Sequence, residues 1–347
     1  MKAIITVLCI LAWAIQVKAE ESKKTYEKTF PKEGIEELVL SNNYGKIEVS
    51  QVDGNEISVS AVMKVVAKSG AKADETLDLI EVMETQADRY LNLETRYGKD
   101  MAFKQFITGI SVSVDYKVVV PKGVKLRIIG SNGNTYLGNF EGELNVDIRS
   151  GDFKAAALKG GEFYIKQDKG DFKVEDVASM NGDFKNCTLE IENGGKIRLT
   201  TSSCTGDLQS IDKLNIRSSG GEMKLGDIEE LTGSSSFTKY EVQDVANVLD
   251  MDMKMGEMNV RNIQLMFSEV RVKGSFTKVG LTFMKDAGYH LEIKHNKSLK
   301  MDLPSGMKLD EKPTSERNMV VGTKFIGNTK YAGKVYLDLS NGSLYIQ

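Results

Sequence analysis

Cys187 and Cys204 form the sharpest chemical pair in the 347-residue sequence. They lie 17 positions apart, and a threonine follows each. If a repeat of that length stacks strand on strand, their Cα atoms come to about 5 Å, inside the range for a disulfide. An oxidising compartment favours that bridge, whereas strain between adjacent parallel strands favours a buried thiol pair, so both readings stand. Asp250 and Asp252, two apart on one strand face, are the candidate carboxylate pair, since paired carboxylates can hydrolyse glycosides. No histidine or Arg-x-Lys grouping stands next to them in sequence to support that reading, and alternating outward aspartates are the simpler one. His290 and His295 are five apart, so on a strand they point to opposite faces and one metal cannot easily gather both. They read as surface or turn residues. The sequence has no Gly-x-Ser-x-Gly elbow, phosphate loop or dinucleotide fingerprint. No catalytic residue, metal or cofactor is therefore expected.

The elements that would position these residues come from a repeat. A seven-residue phrase with apolar residues at its second, fourth and seventh positions begins at Asn134, Asp152, Asp171, Thr188, Thr205, Glu222, Lys239 and Glu257. A looser copy begins at Lys278. The alternation marks a half-buried strand. A second alternating run follows in each repeat, as in Leu144 to Ile148 and Leu249 to Met253. The period predicts an all-β, parallel β-solenoid with coils of 17 to 19 residues, two short strands per coil and a core shared by stacking. The residue before each phrase is small: Gly133, Gly151, Gly170, Cys187, Cys204, Gly221, Thr238 and Gly256. That position is expected to face inward at a corner.

Residues 1–19 have the pattern of a signal peptide, with Lys2, an apolar run and Val17-Lys18-Ala19 before Glu20. Residues 20–130 read as strands with one short helix near Ala73 to Ile80, capping the coils. Residues 131–303 read as the coils, and 304–347 as a loop with closing strands. The mature chain has no apolar stretch long enough to span a membrane as a helix. With 46 basic and 49 acidic residues, the net charge of −3 offers no footprint for nucleic acid. Lys154, Lys173 and Lys224 share an outward position with Tyr136, Glu190 and Asn259, a mixture suited to a solvated face. Tyr136 and Tyr164 are outward aromatics of a kind that stacks on sugars, although two do not make a platform.

Gly-Asp-Phe-Lys at 151–154 and 170–173, Gly-Glu-Met-Lys at 221–224 and Val-Asp-Tyr-Lys-Val-Val-Val-Pro-Lys-Gly at 114–123 carry a resemblance. So do Asn43-Tyr44-Gly45-Lys46-Ile47-Glu48-Val49 and Gly342-Ser343-Leu344-Tyr345-Ile346. Together they resemble a bacterial family of exported β-solenoid proteins known as "putative adhesins", related to the head domain of auto-transporter adhesins. The sequence departs from the family's usual Tyr-Gly-Asn coil start, with Ser, Lys or Met before the glycine and Cys in its place at 187 and 204. The resemblance implies a non-catalytic protein of the periplasm or cell surface that presents strand faces to an unknown glycan or protein. It implies no site residues, and it leaves the oligomeric state open. The alternatives are a periplasmic structural or signalling-linked scaffold with no adhesive role and, ranked third, a polysaccharide-active β-helix enzyme.

Overall fold

The computed structural model describes residues 19–98, 109–316, 318–327 and 332–347. Almost all of the expected signal peptide, and most of the loop expected between Gly98 and Gly109, lie outside the described residues. The N-terminal part holds β1 (Glu20–Pro31), β2 (Glu37–Asn42), β3 (Gly45–Val52), β4 (Glu56–Ala67), α1 (Gly70–Leu77), β5 (Ile80–Ala87), β6 (Tyr90–Tyr97) and β7 (Ser111–Pro121). The middle holds β8 (Lys125–Gly130), β9 (Gly133–Glu141), β10 (Leu144–Ile148), β11 (Phe153–Lys159), β12 (Phe163–Gln167), β13 (Gly170–Lys185), β14 (Cys187–Lys254), β15 (Glu257–Ile263), β16 (Glu269–Ser275) and β17 (Lys278–Phe283). The chain ends with β18 (Tyr289–Asn296), β19 (Lys300–Asp302), β20 (Asp310–Pro313), β21 (Met319–Ile326), β22 (Gly333–Ser340) and β23 (Ser343–Ile346).

The expectation of a parallel β-solenoid is corrected. The described strands join one 23-stranded sheet of mixed pairing, wound into a nearly closed barrel. The pairs β1–β4, β4–β7, β5–β6, β18–β21 and β20–β21 are antiparallel. Alternation identifies a half-buried strand but carries no information about the direction of its neighbour. Direction follows from the connection. β5 and β6 are joined by the two residues 88–89, with Asp88 at φ 52°, a link too short for a parallel crossover. Between β8 and β17 the pairing is parallel, and there the repeat sets the register. Phe153 pairs with Phe172, and Phe172 with Leu189. β13 pairs with β11 through its first half and with β12 through its second, so it carries the sheet round from one run of strands to the other.

The inward alternate positions fill the barrel. Phe153, Phe163, Phe172 and Phe184 are fully buried, and the Phe153 and Phe172 rings stack 5.3 Å apart. At the turn into each phrase the backbones approach closely. Gly151 has φ 133°, and a Cβ there would overlap the carbonyl oxygen of Gly133. Only glycine meets both demands.

α1 lies three residues earlier than the sequence predicts, because Ile80 alternates into β5. It buries Ala73, Thr76 and Leu77, and the Gly70 N–H at its start donates to the Glu20 carboxylate. Within residues 304–347, read from the sequence as a loop with closing strands, the charged stretch Leu309 to Met319 contains β20, which pairs with β21. Asn341-Gly342, a sequence signal for either a hairpin or the turn of a further repeat, makes the latter: β22 pairs with β16 and β18, and β23 with β17 and β19, all in parallel.

Candidate functional site: the outward strand faces

The repeat brings Cys187 and Cys204 together. Both are buried free thiols. The Cys187 N–H donates to the Cys204 sulfur over 3.5 Å, and the thiols donate to the carbonyls of Lys185 (3.1 Å) and Ser202 (3.3 Å). The contact with Cys204 and burial push the Cys187 thiol up. Hydrogen bonding from Cys187 holds Cys204 down, with burial opposing. The pair fills the inward corner row, and its burial keeps both sulfurs from reaching an external substrate.

Asp250 and Asp252 both point outward. The parallel register sets Arg271 opposite Asp250 and Lys273 opposite Asp252. The Arg271 guanidinium lies 3.9 Å from Asp250 and 2.8 Å from Glu269. The grouping Arg271-Val272-Lys273 is therefore adjacent in space, one repeat further along the chain. Reading outward positions at the repeat spacing, rather than neighbours in sequence, would have found it. Cations facing carboxylates across a ladder are also what a solvated sheet uses for cross-strand pairing.

His290 and His295 do face opposite ways. His290 is exposed, with its ring 4.7 Å from that of Phe325, and it sits opposite Lys334 rather than beside Asp250. His295 is not a surface residue. It is 7% exposed, its Nδ1 lies 3.2 Å from the Asn296 carbonyl, and Glu311 lies 3.8 Å from Nε2.

The outward face of β10, β12, β13 and β14 forms an open groove of about 400 Å³. One row along it runs Asn145, Tyr164, Asn181 and Arg198, joined by parallel register, with Asn215 next on the groove wall. The row beside it runs Asp147, Lys166, Asp183 and Thr200, and Arg217 closes the groove. Tyr164 is 47% exposed and its hydroxyl donates to Glu162. Lys166 pairs with Asp147 at 3.1 Å. Arg198 and Arg217 have no carboxylate partner within 4.0 Å among the described residues. The sequence reading places Tyr164 outward but misses the two arginines, although the same 17-residue spacing that leads from Tyr164 to Arg198 and from Lys166 to Arg217 would have found them. Of the opposite character is the face with Glu190, Glu192, Asp207 and Glu241, where carboxylates predominate. Lys173 reaches across to Glu190 there.

No family model matches the chain, and no curated protein matches it. Among solved structures, it is similar to a "putative cell adhesion protein" from Clostridium sporogenes ATCC 15579. That likeness has 11% identity, 94% of this chain and 99% of the other covered, and a TM-score of 0.21. It is also similar to a "putative lipid binding protein" from Parabacteroides distasonis ATCC 8503. Here the identity is 11%, the coverage 94% and 96%, and the TM-score 0.32. Likenesses at these scores assign neither ligand nor activity.

Proposed function

We propose that this protein is an exported, non-catalytic binding scaffold of the cell envelope or surface, and that its Tyr164 face takes an extended glycan with acidic groups. The row Asn145–Tyr164–Asn181–Arg198–Asn215 carries this reading. It repeats planar polar groups at the strand spacing of about 4.8 Å. An extended polymer can engage several in series, with an exposed aromatic ring for stacking. Guanidinium groups pair with carboxylate or sulfate through two parallel hydrogen bonds, and Arg198 and Arg217 are available to do so. The groove is open and shallow, which suits a chain lying along it better than a small molecule enclosed in it.

Titration with acidic polysaccharides and their neutral counterparts tests the reading. Tyr164→Ala and Arg198→Ala are each expected to weaken binding by about tenfold or more. Binding unchanged by both, or capture of a protein on this face with no glycan bound, would falsify it. Export rests on the pattern of residues 1–19. A secreted form beginning at Glu20 and cleaved by protease on intact cells is the expected result. Retention of Met1 on the cellular protein sinks export, and protection from protease until the outer membrane is opened favours the periplasmic scaffold.

A further inference from the structure

The corner two residues before most phrases adopts a left-handed conformation, and its occupants form a row; before Asp152 and Asp171 the positive φ falls on Gly151 and Gly170 instead. Asn132, Asn186, Ser203, Gly220 and Asn341 hold this place with φ between 52° and 73°. Four of these five are Asn or Gly, the residues that tolerate such a backbone. Three consecutive corners break the pattern. Phe237 (φ 55°), Met255 (φ 51°) and Phe276 (φ 54°) sit there instead. They are neighbours in space. Lys239 pairs with Glu257, and Glu257 with Lys278, each two residues beyond its corner. The Met255 N–H donates to the Ser275 carbonyl, and the Phe276 N–H to that of Ser340. A bulky side chain in this conformation is a genuine outlier. The chain accepts it three times in succession, and the side chains point outward, 62%, 40% and 60% exposed. The barrel core gains nothing from them.

The flanking charge differs from that of the whole molecule. Residues 234–239, 252–257 and 273–278 carry Lys239, Lys254, Lys273 and Lys278 against only Asp252 and Glu257, in a chain of net charge −3. Ser-Phe-Thr-Lys occurs twice in them, at 236–239 and 275–278. Lys239 is paired with Glu222 and Glu241, and Lys278 with Glu257, whereas Lys254 and Lys273 have no carboxylate within 4.0 Å among the described residues. We propose that the exposed ridge Phe237–Met255–Phe276 docks on an anionic lipid bilayer, its side chains entering the headgroup region while Lys254 and Lys273 hold the surface. Two weak signals, apolar insertion and basic attraction, are what stable surface attachment requires. Area argues against a second protein as occupant. At these exposures three large side chains offer roughly 300 Å², well below the ~800 Å² per partner of a stable interface. A soft bilayer accepts a narrow ridge.

The test is flotation of the purified protein with vesicles of phosphatidylcholine alone and of phosphatidylcholine mixed with phosphatidylglycerol. Alongside it runs the triple variant Phe237→Asn, Met255→Asn, Phe276→Asn. The parent is expected to float with the anionic vesicles and to be released by salt. The triple variant is expected to lose at least about tenfold in bound fraction, while its melting temperature stays equal or rises, because asparagine suits the corner. Lys254→Glu with Lys273→Glu is expected to abolish the preference for anionic vesicles. A parent that stays off both vesicle types overturns the proposal, as does a triple variant that floats like the parent. So does a parent that is dimeric by light scattering and becomes monomeric in the triple variant, which would make a second copy the occupant.

Discussion

The parallel run from β8 to β17 and the N-terminal region from β1 to β7 are built from the same kind of strand and behave differently. In the parallel run each residue stacks on its counterpart one repeat away, so identical positions form rows: Phe153 on Phe172, Asp176 beside Asn193, Asp244 beside Asn262. A substitution there is felt by the rows above and below. In the N-terminal region β2 and β3 join the parallel rows, with Gly45 against Gly133, but β4 is flanked by β1 and β7, both antiparallel to it, and its residues have no repeated counterpart. Close approach of backbones recurs along the rows, whereas a turn outside them such as that of Gly34 has open space around it.

Glycines test that difference most severely. Gly151→Val puts a branched side chain at φ 133° against the Gly133 carbonyl. The expected cost is about 4 kcal/mol or more, since backbone strain and steric overlap add. Urea unfolding measures it, and a cost near 1 kcal/mol would show that the corner relaxes and that the rows are not rigid. Phe172→Ala is next, at about 3–5 kcal/mol by the same measurement, because the ring lies between Phe153 and Phe184.

Alkaline pH separates the regions by another route. Burial pushes Tyr116, in the N-terminal region, and Tyr240, in the parallel run, up to about 12. Burial also raises Tyr97 and Tyr26, both N-terminal. An unfolded tyrosine titrates near pH 10. A raised pKa means that the folded state holds its proton longer, so this stability is fully present below about pH 10 and is lost as pH climbs through the folded value. With three of these four tyrosines, the N-terminal region is expected to lose amide-exchange protection first between about pH 10 and 12. Simultaneous loss would contradict the contrast. Tyr116→Phe should flatten the dependence in that window.

Smaller effects complete the series. Gly34 has φ 81° and nothing within 4 Å of an added Cβ. Gly34→Ala should therefore cost only about 1 kcal/mol, the left-handed penalty alone. A loss matching that of Gly151→Val would erase the distinction between corner and end. The thiol pair should leave stability almost untouched while reporting on compartment. Alkylation of unfolded, unreduced protein is expected to label both Cys187 and Cys204. Linked peptides carrying both residues would show that the row closes covalently.

Much of the parallel run was legible in the sequence. The phrase from Asp171 to Val177 names inward Phe172 and Val174, and the 17-residue spacing names Leu189 and Ile191 as their neighbours. The same spacing brings Cys187 to Cys204. These follow because side-chain alternation and repeat length are local properties written in the residues themselves. Pairing direction at the ends was not legible, since β4 and β7 carry the same alternation whichever way a partner runs. Nor was the buried setting of His295, which depends on β21 and β22 lying on either side of its strand. The grooves belong to the tertiary structure as well. Arg198 shares a row with Tyr164 two strands away, and Arg271 faces Asp250 across the ladder; the repeat spacing sets those alignments, and the winding of the sheet decides how open a face they share. By itself the sequence determined the strands, their inward rows and the repeat between them. The winding of those rows into a mixed, nearly closed barrel decided how open a face the outward side chains share, because that choice depends on residues distant in the chain.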